Sequence, residues 1–343
     1  MKLGIWTPLP HTIPAEPTLD CAIADLRTRG QGAAVDRSYQ FAIDVVTAGE
    51  RHGATTTLIA ERWLGPDLSA WMLGTALASH TKNIELMIAV HPGIVAPQVV
   101  AKMGASLDRI SGGRFAVNIV NGWFQKEFDL FSNGGWIGAE EKRYRRMDEF
   151  IRVMKGLWTH DSFSFDGEFY RFDTVSLPLR TLRTPYPTIY AASRTGIGPD
   201  VIARDCDVWF VPYEPSHRLY DENARGIEAA VRAMDARARS YGRTMRYGIS
   251  AHVICRPTTE AAIAAAEALA EYGKKDPVSM VAAKALGAGL LGTPREIAAR
   301  IRRYEAMGVE TFMLHFSPML EGFQTFAGEV LPLLSPQRSE AAE

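Results

Sequence analysis

The stretch FAVNIVNGWFQKEFDLFSNGGWIGAEEKRYRRMDEFIRVMKGLW, residues 115–158, joins a short apolar run to a long charged helix through a connection rich in polar and aromatic residues. The run at 115–120 is typical of a strand buried on both faces, and Asn118 interrupts it. A buried carboxamide needs hydrogen-bond partners, so Asn118 either satisfies neighbouring backbone or binds a polar ligand. The order of buried strand, polar turn and helix predicts a functional site built around this connection.

Short strand-like runs alternate with longer helical patterns along the whole chain. Eight such runs separated by helices favour an eight-stranded parallel β/α (TIM) barrel over an open doubly wound sheet. The predicted strands are 3–6, 56–59, 84–90, 115–120, 188–191, 208–211, 247–255 and 311–315. The predicted helices are 37–52, 69–80, 97–111, 140–159, 198–205, 219–241, 258–272 and 293–307. We therefore expect one α/β barrel domain over residues 1–335 and a polar tail at 336–343.

The composition limits the classes of binding partner and the cellular compartment that we expect. A formal net charge of -1 and a pI near 6.7 argue against nucleic acid or an anionic membrane and favour small molecules. Cys21, Cys206 and Cys255 lie far apart, so they indicate neither a disulfide framework nor a clustered zinc site. No apolar run reaches the roughly 18 residues that cross a bilayer, and the N-terminus lacks the apolar segment of a signal peptide. We expect a cytoplasmic protein with no membrane contact.

Four connections are longer than simple turns, at 7–36, 121–138, 160–187 and 273–292. Loops of more than about 15 residues inside a compact domain are usually functional. In a β/α barrel the chemistry lies at the carboxyl ends of the strands, so we expect long insertions at this catalytic end. The 273–292 connection is rich in glycine and alanine, which indicates either a mobile lid or an ordered insertion with its own short helix.

Two further groups of polar residues are candidates for a site. The turn from Ser193 to Gly198 follows a strand and precedes a helix, where hydroxyls and backbone amides bind anions, although it lacks the third glycine of a dinucleotide fingerprint. His91, His252 and His315 lie at or near strand ends, so they are either proton donors facing one cavity or hydrogen-bonded core histidines. No metal-binding spacing is present, and we expect no metal.

Several motifs together resemble those of the bacterial-luciferase-like flavin monooxygenases. They are ERWLGPD at 61–67, ISGGRFAVNIVNGW at 110–123, EKRYRRMDEFIRVMKGLW at 141–158, FDGEFYRF at 165–172 and LLGTPREIAARIRRYEAMGVETFMLHF at 290–316. The chain is most similar to dimethylsulfone monooxygenases, with alkanesulfonate monooxygenases and the ring-opening pyrimidine oxygenase further off. The resemblance implies an enzyme that uses O2 and reduced FMN, the FMN being reduced by a separate NAD(P)H-dependent flavin reductase. It also implies a homodimer or homotetramer.

The resemblance also implies roles for individual residues. The candidates for binding FMN are Asn118, Glu127, Glu61 and Arg62, with Arg143, Tyr144 and either Ser193 or Thr195 near the phosphate. The last choice stays open because the relatives' GGSS-like turn is AASRT here. The candidates for proton transfer are His252, His91 and His315. The candidates for the substrate wall are Trp6, Trp123, Ser250 and Phe316; Trp209 belongs to the same aromatic group, which can equally be barrel core.

The predicted substrate pocket departs from that of the alkanesulfonate enzymes. The position of their substrate-binding arginine holds Ser250, their tryptophan after the sixth strand is Pro212, and their histidine after the eighth is Met319. A buried anion needs cations, so these changes favour a neutral or differently held substrate. The possible replacements for the missing charge are Arg194, Lys284 and Arg62.

We therefore expect a two-component, reduced-FMN-dependent monooxygenase that cleaves a C–S bond in a small sulfone or alkanesulfonate. The alternatives are an FMN-dependent oxygenase that opens or degrades a heterocycle such as a pyrimidine, a deazaflavin-dependent reductase, and a non-catalytic flavin-binding protein. The NGW and RRMDEFIRVMKGLW motifs disfavour the deazaflavin enzyme.

Overall fold

Eight parallel strands form a closed barrel in the computed structural model, which describes residues 1–7, 37–65, 67–122, 124–131, 135–274 and 283–334. Their order around the barrel is β1, β2, β3, β4, β7, β8, β9 and β11, and β11 pairs with β1 to close it. These strands are β1 Lys2–Trp6, β2 Thr56–Ile59, β3 Glu85–Val90, β4 Phe115–Ile119, β7 Thr188–Ala191, β8 Val208–Phe210, β9 Arg246–Cys255 and β11 Val309–Phe316. An antiparallel hairpin, β5 Phe163–Asp166 and β6 Arg171–Val175, lies apart from the barrel, and β10 Leu291–Gly292 pairs with β9.

Helices surround the barrel and bury their apolar faces against the outward side chains of the strands. They are α1 Arg37–Arg51, α2 Ala70–His80, α3 Pro97–Ser111, α4 Gln125–Asp129, α5 Glu140–Thr159, α6 Gly198–Asp205, α7 Tyr220–Ser240, α8 Thr259–Gly273, α9 Pro294–Ala306, α10 Met319–Thr325 and α11 Leu331–Leu334. Local signals set their ends: Thr293 and Glu296 form a capping box that starts α9. None of the described helices combines the length and apolar composition that crossing a membrane requires.

The barrel interior is filled by every second residue of the strands, because successive side chains of a strand point to opposite faces. The interior cluster consists of Leu58, Met87, Ala89, Ala116, Tyr190, Val208, Phe210 and Met313. Gly4 leaves room for this cluster, since a Cβ at that position would lie 2.7 Å from Met313 Cε. At the amino end of the strands, the buried Glu85 accepts hydrogen bonds from Lys2 (2.7 Å), Tyr190 (2.8 Å) and Arg183 (2.8 Å). These hydrogen-bonded side chains close the amino end of the barrel, so its carboxyl end is the open one.

The predicted barrel is confirmed, and every predicted strand and helix lies within two residues of the observed bounds. One insertion lies elsewhere than expected. The connection at 160–187 carries the β5–β6 hairpin along the outer side of α5, where Glu149 accepts hydrogen bonds from the backbone N–H groups of Glu168 (2.7 Å) and Phe169 (2.8 Å). It follows the carboxyl end of a helix rather than a strand, so it starts at the amino end of the barrel, away from the open end. Helices α4, α10 and α11 were not predicted.

The other long connections are described in part. The segments at 8–36 and 275–282 and the tail at 335–343 lie outside the described residues. The described remainder of the 273–292 connection contains a buried 3-10 turn, Ala285–Ala288, followed by β10. This part corresponds to the ordered insertion with its own short helix; the lid movement stays a prediction.

Candidate functional site

Two adjoining chambers occupy the open end of the barrel. The first chamber has a volume of about 400 Å³ and includes Glu61, Arg62, His91, Tyr213 and Lys284 in its wall. The second chamber has a volume of about 320 Å³ and includes Asn121, Glu140, Arg143 and Tyr144. Both are bordered by the same central residues, which are Trp6, Leu58, Asn118, Val120, Ala192, Phe210 and Ser250. The shared wall makes them one elongated cavity with two chemically different ends.

Asn118 is the polar residue at the centre of this cavity. It lies two positions after Ala116 on β4, so strand alternation turns it into the barrel interior. The side chain is 9% exposed, and its Oδ1 atom has no hydrogen-bond partner among the described residues. An unsatisfied buried carbonyl oxygen costs about 1–3 kcal/mol, so the site suits a ligand that donates a hydrogen bond at this point.

A tyrosine–serine pair links the second chamber to the chain after β7: Tyr144 borders the chamber, whereas Ser193 contacts Tyr144 and borders neither chamber. Ser193 is buried at the end of β7, and its Oγ donates a hydrogen bond of 2.8 Å to Tyr144 Oη on α5. Gly198 permits this arrangement because a Cβ there would lie 2.0 Å from Ser193 Oγ. Thr195 is exposed instead, and its hydroxyl donates to Glu140 Oε1 at 2.5 Å. The geometry thus groups Ser193 with Tyr144 and sets Thr195 at the rim.

Arg143 contributes a cation to the same chamber. Its Nη1 donates to the carbonyl oxygens of Ile137 (2.6 Å) and Gly138 (3.1 Å), and the guanidinium lies over the Trp136 ring at 4.2 Å. Within the described ranges it forms no ion pair, and its buried Nε has no hydrogen-bond partner. The guanidinium is held in place by neutral groups and keeps its charge available for an anion.

A buried group of four charged residues adjoins the first chamber, and two of them, Glu61 and Arg62, line its wall. We call Glu61, Arg62, Asp67 and Glu127 the charged cluster. Glu61 accepts hydrogen bonds from Ser69 Oγ (3.1 Å) and the Ala70 N–H (3.0 Å) at the start of α2. Arg62 Nε donates to Asp67 Oδ2 at 2.5 Å, and Glu127 Oε1 accepts a long contact of 3.5 Å from the Leu64 N–H. Burial raises the pKa of each of the three carboxyl groups.

Several atoms of the charged cluster lack partners. Arg62 Nη1, Asp67 Oδ1 and Glu127 Oε2 are buried without a hydrogen bond among the described residues. Arg62 is itself only 7% exposed although it borders the first chamber. The cluster therefore combines three carboxyl groups with one guanidinium, and Arg62 Nη1 is a donor without a partner among the described residues.

The three candidate histidines are all buried but do not all reach the cavity. His91 borders the first chamber, its Nδ1 has no partner among the described residues, and burial lowers its pKa to about 4. His252 and His315 point into the barrel but border neither chamber, because the Trp6 ring lies next to His315 at 4.9 Å. The two rings stack at 5.7 Å; burial lowers the pKa of His315 to about 3 and, with His315 as neighbour, that of His252 well below its ordinary value.

The predicted substrate wall is partly wrong. Trp6 and Ser250 border both chambers, and Trp6 Nε1 donates to Ser250 Oγ at 3.2 Å. Phe316 faces outward against Phe323 and Phe326 of the C-terminal helices, at 5.6 and 5.5 Å between ring centroids. Trp209 also faces outward. Both occupy the alternate face of their strands, where Met313 and Phe210 are the inward residues. Trp123 lies outside the described residues.

The structure adds Tyr213, which sequence reasoning missed. Its hydroxyl donates to the Ser250 backbone carbonyl oxygen, and its ring borders the first chamber. An aromatic residue three positions after the end of β8 was the available signal. Of the three possible replacement cations, Arg62 and Lys284 border the first chamber, whereas Arg194 forms an ion pair of 2.8 Å with Glu214 in a groove outside it. Among the described residues, no group of three or more potential ligands could hold a metal ion.

Comparisons with known proteins show the family of this chain. The model of the luciferase-like monooxygenases matches residues 21–311. An FMNH2-dependent dimethylsulfone monooxygenase of Pseudomonas putida is 32% identical over 293 residues, which cover 77% of this chain and 78% of that protein. Two solved structures share the fold at a TM-score of 0.75. They are EDTA monooxygenase from Chelativorans sp. BNC1, with 17% identity over 97% of this chain and 93% of that one, and monooxygenase RslO1 from Streptomyces bottropensis, with 21% identity over 98% and 100%. The chain therefore belongs to the luciferase-like monooxygenase family.

Proposed function

We propose that this protein is a reduced-FMN-dependent monooxygenase that oxidises a small organosulfur compound. The observation that carries the proposal is the two-ended cavity, with the Arg143 cation at one end and the buried Asn118 at its centre, whose Oδ1 has no hydrogen-bond partner among the described residues. The similarity to an FMNH2-dependent dimethylsulfone monooxygenase supports the same cofactor and substrate class.

The residues of the second chamber fit FMN. Arg143 and Tyr144, with Ser193 bonded to Tyr144, would hold the phosphate, because two hydroxyl groups and a guanidinium without a carboxylate partner in the described part of the chain suit a dianion. Asn118 would hold the ring system by accepting a hydrogen bond at its free Oδ1. Thr195 and Glu140 would form the rim. Reduced FMN, when bound, supplies the electrons that activate O2 and insert one oxygen atom into the substrate.

The protein's own part is binding, orientation and control of water and protons. Leu58, Val120 and Phe210 form apolar walls shared by both chambers, which limits water at the reacting centre. His91 is neutral at pH 7 because its pKa is about 4, so one ring nitrogen carries a proton while the other accepts one. We propose His91 as the residue that holds or moves a proton in the first chamber. His252 and His315 would act through Trp6, by fixing its ring, rather than by contacting the substrate.

The first chamber suits a small, neutral substrate such as dimethylsulfone. Ser250 offers a hydroxyl at the position where the alkanesulfonate enzymes carry an arginine, and Trp6 already donates to that hydroxyl. Insertion of one oxygen atom into a methyl C–H bond gives a hydroxymethyl sulfone, which breaks at the C–S bond to methanesulfinate and formaldehyde. The second oxygen atom leaves as water.

Two partners follow from this proposal. A separate NAD(P)H-dependent flavin reductase would supply reduced FMN. A homodimer or homotetramer is also proposed, because the neighbouring helices α2 and α3 expose Met72 (63%) and Val99 (47%) to solvent. Light scattering on the wild type and on a Met72→Glu variant tests the second point: the variant should shift toward a smaller assembly.

An anaerobic titration followed by oxygen addition tests the function. Reduced and oxidised FMN are titrated into the wild type, Asn118→Ala and Arg143→Ala, and dimethylsulfone, methanesulfonate or uracil is then added with O2. We expect tight binding of reduced FMN to the wild type, weaker binding to both variants, and methanesulfinate from dimethylsulfone. Flavin binding with loss of uracil only would assign the heterocycle reaction, flavin binding without any product would assign a non-catalytic flavin-binding protein, and no flavin binding would refute the proposal.

A further inference from the structure

The charged cluster beside the first chamber has an unusual balance of charge. Its single cation, Arg62, is bound by Asp67, whose side chain is 8% exposed, and Glu61 and Glu127 add two more buried carboxyl groups. With Asp67 ionised, the cluster carries a net charge between -2 and 0, depending on how many of the other two carboxyl groups hold a proton. It is positive only when all three are protonated.

Other described cations do not change this balance inside the chamber. Lys284 borders the first chamber but is exposed, so solvent screens its charge. Arg143 belongs to the second chamber, where the phosphate of FMN would neutralise it. Arg146 packs against Gly93 and borders neither chamber, and its Nη1 donates to the Gly135 carbonyl oxygen at 3.1 Å. An anion in the first chamber would therefore meet a neutral or negative wall at short range.

The same cluster offers one specific hydrogen bond. Arg62 borders the chamber, is 7% exposed, and has a buried Nη1 without a partner among the described residues. A guanidinium whose charge is neutralised by a carboxylate still donates hydrogen bonds, so it suits a strongly polar but uncharged acceptor. A sulfonyl oxygen of a sulfone is such an acceptor.

We propose that the charged cluster, through Asp67 bound to Arg62 and the adjacent Glu127, selects neutral sulfones and excludes sulfonates from the first chamber. The inference rests on the proposed function and adds the residues that set the substrate's charge. The cost of placing an unpaired anion in a buried site exceeds what one neutralised arginine returns, whereas a neutral sulfone keeps the Arg62 hydrogen bond without that cost.

Dimethylsulfone and methanesulfonate form a matched pair of probes, because they differ mainly by one methyl group against one charged oxygen. The ratio of their kcat/KM values is measured for the wild type, Asp67→Asn and Glu127→Gln. Calorimetric titration of both compounds into the FMN-loaded protein, without O2, measures the ratio of their affinities separately from turnover. Glu214→Gln is the control, because this substitution also removes one negative charge, but Glu214 pairs with Arg194 outside both chambers.

We expect the wild type to prefer dimethylsulfone, and each cluster variant to shift the ratio toward methanesulfonate by about tenfold or more, while Glu214→Gln leaves it unchanged. Glu127→Gln is the safer variant for folding, because among the described residues Glu127 Oε2 makes no hydrogen bond and Oε1 only a long one. A wild type that prefers methanesulfonate, or an unchanged ratio in folded cluster variants, would overturn the inference. Absence of turnover with binding that follows the predicted ratio would refute only the proposed function; binding of neither compound would overturn the inference as well.

Discussion

Acidification should destabilise the fold through His91, and the structure sets the size of the effect. Burial lowers the pKa of His91 from its ordinary value of 6.5 to about 4. A histidine whose pKa is lower in the folded state than in the unfolded state stabilises the fold in its neutral form. Its contribution is therefore complete above pH 6.5 and is lost as the pH falls from 6.5 toward 4. Between pH 7 and pH 5 the unfolding free energy should fall by about 2 kcal/mol on account of His91 alone.

The buried His252 and His315 act in the same direction, whereas Glu61, Asp67 and Glu127 act in the opposite one. Their carboxyl groups have raised pKa values, so protonation is favoured in the folded state and their contribution to stability rises as the pH falls. A comparison of variants removes these shared contributions and isolates His91.

The assay is urea unfolding, followed by tryptophan fluorescence, of the wild type and His91→Asn at pH 7 and pH 5. The variant should lose about 2 kcal/mol less than the wild type between these two values. Asn118→Ala is the matched control: it removes another buried polar side chain of the same cavity but no titratable group, so its loss should parallel that of the wild type. If His91→Asn loses as much stability as the wild type, His91 is not a buried neutral histidine and its proposed role in proton transfer also fails.

Three further outcomes are expected. Gly198→Ala should weaken FMN binding at least about tenfold in fluorescence titrations, because its Cβ would overlap Ser193 Oγ at 2.0 Å; unchanged affinity would remove this turn from the phosphate site. Arg143→Ala should weaken FMN binding by about 2 kcal/mol, the size of a hydrogen bond to a charged group, and Arg143→Lys should restore only part of it; equal affinities of both variants with the wild type would contradict the assignment. Thr293→Ala should lower the unfolding free energy by about 1 kcal/mol through loss of the α9 cap, with FMN affinity unchanged as the internal check.

The strands and most helices were predictable because their signals are local. Apolar runs bounded by glycine and polar residues located all eight barrel strands, and capping residues such as Thr293 located helix starts. The β5–β6 hairpin was missed because its strands are short and half-exposed, so they carry little apolar pattern.

The site was predictable only in part. Asn118 was recognisable from the sequence, since a carboxamide in an apolar strand is a local anomaly. Which histidines reach the cavity was not predictable. His91 follows one apolar strand and His315 lies near the end of another, yet the Trp6 ring packs beside His315, which borders neither chamber. The outward direction of Phe316 also required the register of its strand, because a shift of one residue reverses the face of every side chain.

Local patterns along the chain were therefore enough to predict the barrel, its open end and the polar strand residues that face it, since backbone geometry repeats over a few residues. Only the folded barrel decided which distant residues meet. Glu127 lies close to Arg62 and Asp67 although about 60 residues separate them in the chain. Their charges are buried together, and this shared burial determines the charge beside the first chamber. No local sequence pattern predicts this balance of buried charges, because it arises from the packing of the loops and from the exclusion of water.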